Sequence, residues 1–143
     1  MKNIKILFVE DEKLLRTLFE DSVAALGDQY AGCSFDMSAV SDLKSAIAYL
    51  DEKPAPDVVI LDLRLPRGES QETVEAPEQE NGFMILKYVK SREKFNCTPV
   101  IVFTNLGDQE TERKAKELKA DKFLIKSEVL PSRLLNTITD LVK

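Results

Sequence analysis

A chain of 143 residues has the length of a single domain and can bury a sizeable core. Its net charge of −5 argues against a nucleic-acid binder, which needs a basic face, and the absence of histidine removes the commonest general base and metal ligand. Any chemistry must run on carboxylates, hydroxyls and lysine. No apolar run approaches the roughly 18 residues of a membrane span, so no membrane insertion and a cytoplasmic location are expected. Cys33 and Cys97 are then two unpaired thiols of a reducing compartment.

In chain order, the apolar run from Ile4 to Val9, followed by Glu10, Asp11 and Glu12, predicts a buried strand. From Lys13 to Leu26 the residues Leu14, Leu15, Leu18, Phe19, Val23 and Leu26 recur at helical spacing, with Gly27 as the C-terminal cap. Residues 33–41 alternate weakly and predict a second strand. Leu43, Ala46, Ile47 and Leu50 place a helix over about residues 42–52, and Pro54 and Pro56 punctuate the chain after it. The stretch "DVVILDLRLP", residues 57–66, begins with a strand buried on both faces and then places a carboxylate, Asp62, where burial should still be strong. Burying a carboxylate costs several kcal/mol unless something compensates it.

The next segment, "RGESQETVEAPEQE" (67–80), is polar, glutamate-rich and longer than the usual strand-to-helix connection, and reads as an inserted loop. Phe83, Ile85, Leu86 and Val89 predict a helix over about residues 81–90, and "TPVIVFTN" (98–105) a further buried strand. "DQETERKAKELKA" (108–120) is helical and mostly charged, with acids before bases as the helix dipole favours. "KFLIKS" (122–127) is the last strand, and residues 131–142 close as an amphipathic helix with Pro131 in its first turn.

Strand–helix alternation with continuous apolar strands predicts an α/β fold, a parallel sheet covered on both faces in three layers. Right-handed crossovers make the doubly wound open sheet the leading topology. Ligands of such sheets bind beyond the carboxyl ends of the strands. Here those ends deliver Glu10, Asp11 and Glu12, then Asp62, Thr104 and Lys126. Any one of these is unremarkable, since strands often end in polar residues, but agreement at four ends is not. Clustered carboxylates repel, and Mg2+, which takes oxygen ligands and keeps open positions, relieves them. With a metal bound and Lys126 paired, Asp62 can stay ionised and act as a nucleophile toward a phosphoryl group. The Thr104 hydroxyl can donate to one of the transferring oxygens.

The chain resembles the response-regulator receiver domains of two-component signalling over essentially its whole length. The motifs that carry the likeness are "ILFVEDE", "PDVVILDLRLP", "NGFMIL", "PVIVFTN" and "ADKFLIKS". The resemblance implies a single flavodoxin-like domain, residues 1–143, with five parallel strands in the order 2-1-3-4-5, five helices and an insertion at about 67–80. It implies that Asp62 accepts phosphate from a sensor histidine kinase or phosphotransfer protein, and that the result is read by a downstream protein. Such a chain is a self-phosphorylating switch rather than an enzyme. Glu10 and Asp11 match the acidic pair that holds Mg2+, together with Asp62 and the main-chain carbonyl of Arg64. Thr104 and Lys126 match the hydroxyl and lysine that sense the phosphoryl group, and Phe123 matches the aromatic switch that follows Thr104.

Departures from the family pattern are local. Glu10 stands for the commoner aspartate, Asn105 for a smaller residue and Phe123 for a frequent tyrosine. Ser127 stands where proline is usual, and a non-proline cis bond costs about 2.5–4 kcal/mol. The insertion separates Pro66 from Asn81 and Gly82, which nearly adjoin in the family. No output domain is expected after the last helix, which leaves a stand-alone regulator or an excised receiver. The alternative is a pseudo-receiver that only docks other proteins, and retention of Asp11, Asp62, Thr104 and Lys126 speaks against it. A haloacid-dehalogenase-like phosphatase would need an acid where Arg64 stands. A flavodoxin would need a phosphate-cradling loop where the chain has "EDEK".

Overall fold

In the computed structural model, which describes residues 2–30, 32–68 and 78–142, strands and helices alternate throughout. The strands are β1 (Lys2–Val9), β2 (Cys33–Val40), β3 (Val58–Leu61), β4 (Val100–Thr104) and β5 (Lys122–Ile125). The helices are α1 (Lys13–Leu26), α2 (Leu43–Glu52), α3 (Glu78–Lys90), α4 (Gln109–Glu117) and α5 (Pro131–Leu141). All strand pairs are parallel, in the order β2-β1-β3-β4-β5, which is the flavodoxin-like doubly wound sheet expected from the sequence.

The alternation of side chains along each strand builds a core on either face. On one face Ile4, Ile6, Phe8, Val58, Ile60, Ile101 and Phe103 pack against α1 and α5 through Phe19, Val23, Leu134, Leu135 and Ile138. On the other, Leu7, Val9, Val59, Leu61, Val100 and Val102 meet α2, α3 and α4 through Ala46, Leu50, Leu86 and Ala115. The central strands β3 and β4 are buried at every position, which is why they read as unbroken apolar runs.

Gly27 is the C-terminal cap of α1 as expected; its backbone is right-handed (φ −57°) and runs on into a 3-10 turn, Gly27–Gln29. One helix end differs from expectation. Helix α3 starts at Glu78, earlier than the apolar spacing of Phe83 onward indicated, because its first turn is polar. Residues 69–77 of the expected insertion lie outside the described residues. The loop leading into them is tied to α2, whose first amides donate from Leu43 N to Pro66 O (2.9 Å) and from Lys44 N to Arg67 O (3.0 Å). Asp42 supplies the third acceptor, its Oδ1 taking Ser45 N at 2.7 Å. Among the described residues no helix is long and apolar enough to cross a membrane.

Candidate functional site

Strand order reverses between β1 and β3, so the connections leaving their carboxyl ends run to opposite faces of the sheet and leave a crevice between them. The ladder carries both strands to its rim: Glu10 N donates to Val40 O and Asp62 N to Val9 O, each at 3.0 Å. Glu10 and Asp62 are therefore buried carboxylates, 0% and 5% exposed. Asp11 is exposed beside them, and one oxygen from each of the three lies within 4.8 Å of the others.

Lys126, one residue past β5, reaches into this cluster with its side chain 8% exposed. Its Nζ donates to Asp62 Oδ2 at 2.7 Å and stands 2.5 Å from Glu10 Oε1. The second contact is an ion pair misaligned for a hydrogen bond, so Glu10 Oε1 is a buried acceptor without a donor. Glu10 Oε2 accepts from Glu12 N at 3.0 Å, and Asp62 Oδ1 from Leu63 N at 2.8 Å. Burial pushes the Glu10 carboxyl up to about 7; Lys126 restrains the rise and the Asp62 charge adds to it. Burial works against the Lys126 charge, but the hydrogen bond to Asp62 and the Glu10 carboxylate beside it outweigh that, and the ammonium titrates above the ordinary lysine value.

Thr104 ends β4 and is buried; its Oγ1 accepts from Leu106 N at 3.2 Å. Asp11, Asp62, Arg64, Thr104, Asn105 and Lys126 line one cleft of about 310 Å³. A larger hollow of about 490 Å³ between α1 and β2, lined by Val23, Phe35 and Met37 among others, has none of this chemistry. Phe123 pairs in register with Val102 and packs half-buried on the face of the sheet that α4 covers. The fold thus brings Glu10, Asp11, Asp62, Arg64, Thr104 and Lys126 to one edge and leaves Phe123 three residues back along β5. The hard oxygen donors and the open acceptor on Glu10 fit a small divalent cation such as Mg2+.

Residues 6–139 match the family profile described as "Response regulator receiver domain". The chain belongs to that family. The transcriptional regulatory protein GltR of Pseudomonas aeruginosa is 28% identical over 138 residues, 96% of this chain and 48% of its own length. CiaR of Streptococcus pneumoniae, another transcriptional regulatory protein, is 33% identical over 123 residues, 86% of this chain and 45% of its own. The chain thus spans about half the length of the curated relatives it matches. Among solved structures, the receiver domain of the sensor histidine kinase PA1611 from Pseudomonas aeruginosa, crystallised with magnesium in its active-site cleft, superposes with a TM-score of 0.74. It is 18% identical, and the match covers 98% of each chain.

Three features of this receiver's site were not legible as such. Arg16, on the first turn of α1, donates from Nη1 to Glu10 O at 2.6 Å and fixes the backbone beneath the acidic pair. Asn81 and Gly82 stand in a recognisable motif, but its reason is tertiary. Asn81 Nδ2 donates to Leu65 O at 2.6 Å, and Gly82 N to Leu63 O at 3.0 Å, which clamps the loop behind Asp62. A Cβ on Gly82 would stand 2.3 Å from Leu63 Cα, so no other residue lets α3 approach so closely. The described peptide bonds are all trans, Lys126–Ser127 included.

Proposed function

We propose that this receiver is a phosphoryl-accepting switch of a phosphorelay, with Asp62 as acceptor and a sensor histidine kinase or phosphotransfer protein as donor. The observation that carries this reading is a buried Asp62 whose Oδ2 is held by a cation and whose Oδ1 is held by a backbone amide. These contacts fix both oxygens of the carboxylate in place, and an ionised carboxylate is the form able to attack. An Asp62 oxygen forms the new bond to phosphorus as the donor's phosphorus–nitrogen bond breaks, and the departing imidazole nitrogen keeps that electron pair. Lys126 then neutralises a phosphoryl oxygen, and Thr104 donates its hydroxyl proton to another. Mg2+, on Glu10, Asp11, Asp62 and the main-chain carbonyl of Arg64, supplies positive charge for the same oxygens when bound.

Inward movement of Thr104 makes room for Phe123 to follow, and the surface of α4, β5 and α5 changes for a downstream protein. Helix α4 suits such a change, because Ala115 is its one buried residue. The same reading takes residues 1–143 as one cytoplasmic receiver domain with an insertion at about 67–80, a switch rather than an enzyme. With a net charge of −5, direct contact with nucleic acid is not part of it, although GltR and CiaR are transcriptional regulators.

Incubation with acetyl phosphate and Mg2+ tests this directly. Wild type should take up acid-stable, base-labile phosphate and Asp62→Asn should take up none. An unlabelled wild type, or equal label on the variant, would overturn the proposal in favour of a docking-only module.

A further inference from the structure

Two departures from the receiver pattern, Asn105 and Ser127, meet in the fold. Asn105 Oδ1 accepts from Ser127 N at 3.2 Å. Proline at 127 would have no N–H to give, so the bond needs both departures together. Its position is unusual in one respect: Asn105 directly follows Thr104, and Ser127 directly follows Lys126. The two groups proposed to hold the phosphoryl oxygens are thus joined, outside the sheet, through one side chain.

A second contact ties the same two segments. A Cβ at Gly107 would stand 2.8 Å from Ile125 Cδ1, so the loop after β4 runs close against the end of β5. The loop is also closed on Thr104 itself, since Leu106 N donates to its hydroxyl oxygen. Any displacement of Thr104 toward Asp62 therefore pulls on Leu106 and, through Asn105, on the backbone that carries Lys126.

We propose that Asn105 and Ser127 form a latch that makes the Thr104 loop and the Lys126 loop move as one unit. Asn105 is then a positioning residue acting through the Ser127 amide. The consequence for phosphoryl transfer rests on the reading of Asp62 given above, but the latch itself does not.

Amide hydrogen exchange and acetyl-phosphate labelling on the full chain test it together. Asn105→Ala removes the acceptor, Ser127→Pro removes the donor, and Ser127→Ala keeps the N–H as a control. Asn105→Ala should speed exchange at the Ser127 amide, and Ser127→Pro should speed it at Leu106, in the opposite loop. Both should lower the maximal labelling rate by about 2- to 10-fold, the range set by one net hydrogen bond, without raising the KM for acetyl phosphate. The double variant should be no slower than either single one, and Ser127→Ala should match wild type. Unchanged Leu106 exchange in Ser127→Pro, or additive losses in the double variant, overturns the latch. If Ser127→Pro does not fold, Asn105→Ala decides alone: exchange at both Ser127 and Leu106 must rise. A wild type that takes no label overturns the Asp62 reading only, and the exchange rates still decide the latch.

Discussion

Lys126 and Glu10 govern the energetics of the site residue by residue. A single ammonium serves two buried carboxylates, and removing one partner of a buried pair typically costs 3–5 kcal/mol. Lys126→Met should therefore lower metal-free stability by about 3 kcal/mol in urea titrations, and millimolar Mg2+ should recover part of the loss. Glu10 releases its proton near 4.5 when unfolded and near 7 when folded, so the folded state holds that proton more tightly. The stability it confers is complete below about pH 4.5 and lost as pH rises to about 7. Glu10→Gln should flatten that part of the curve of Tm against pH. Mg2+ needs the ionised carboxylate, so its affinity should fall below pH 7 and its binding release a proton. Calorimetry in buffers of different ionisation enthalpy reads that proton directly.

At the scale of elements, the site depends on how loops are fastened to helices. The loop behind Asp62 lies so close to α3 that Gly82→Ala must shift backbone rather than a side-chain tip. A loss of about 3 kcal/mol is expected in chemical denaturation, with weaker Mg2+ binding because Leu63 and Asp62 move with the loop. At the far end of α2, Lys94 Nζ donates to Leu50 O at 2.6 Å and to Lys53 O at 2.7 Å, so a distant cation caps its C-terminal carbonyls. Lys94→Ala should cost about 1 kcal/mol and leave labelling of Asp62 unchanged. Helix periods made α1 readable from Phe19, Val23 and Leu26, α2 from Leu43, Ala46 and Leu50, and α5 from the amphipathic pattern after Pro131. The first turn of α3 was not, because it carries no apolar residue to mark it.

For the whole molecule, the proposed Mg2+ site makes a prediction about stability. A ligand at 100 times its Kd adds about 2.7 kcal/mol to a folded state that alone binds it. Saturating Mg2+ should raise the thermal midpoint by several degrees, and the Asp11→Asn, Asp62→Asn double variant should show no such rise. The sequence by itself determined the alternation of strands and helices, the doubly buried β3 and β4, and the acids, hydroxyl and lysine at the strand ends. These follow from local periodicity and from where apolar runs stop. Tertiary structure alone decided that Lys126 serves Glu10 as well as Asp62, 64 residues away in sequence. It also decided that Asn81 and Gly82 brace the loop behind Asp62, that α2 anchors the backbone at Pro66 and Arg67, and that Asn105 meets Ser127. Such contacts join loops that lie far apart along the chain. Strand order and register bring them together, and neither leaves a periodic mark in the loops themselves.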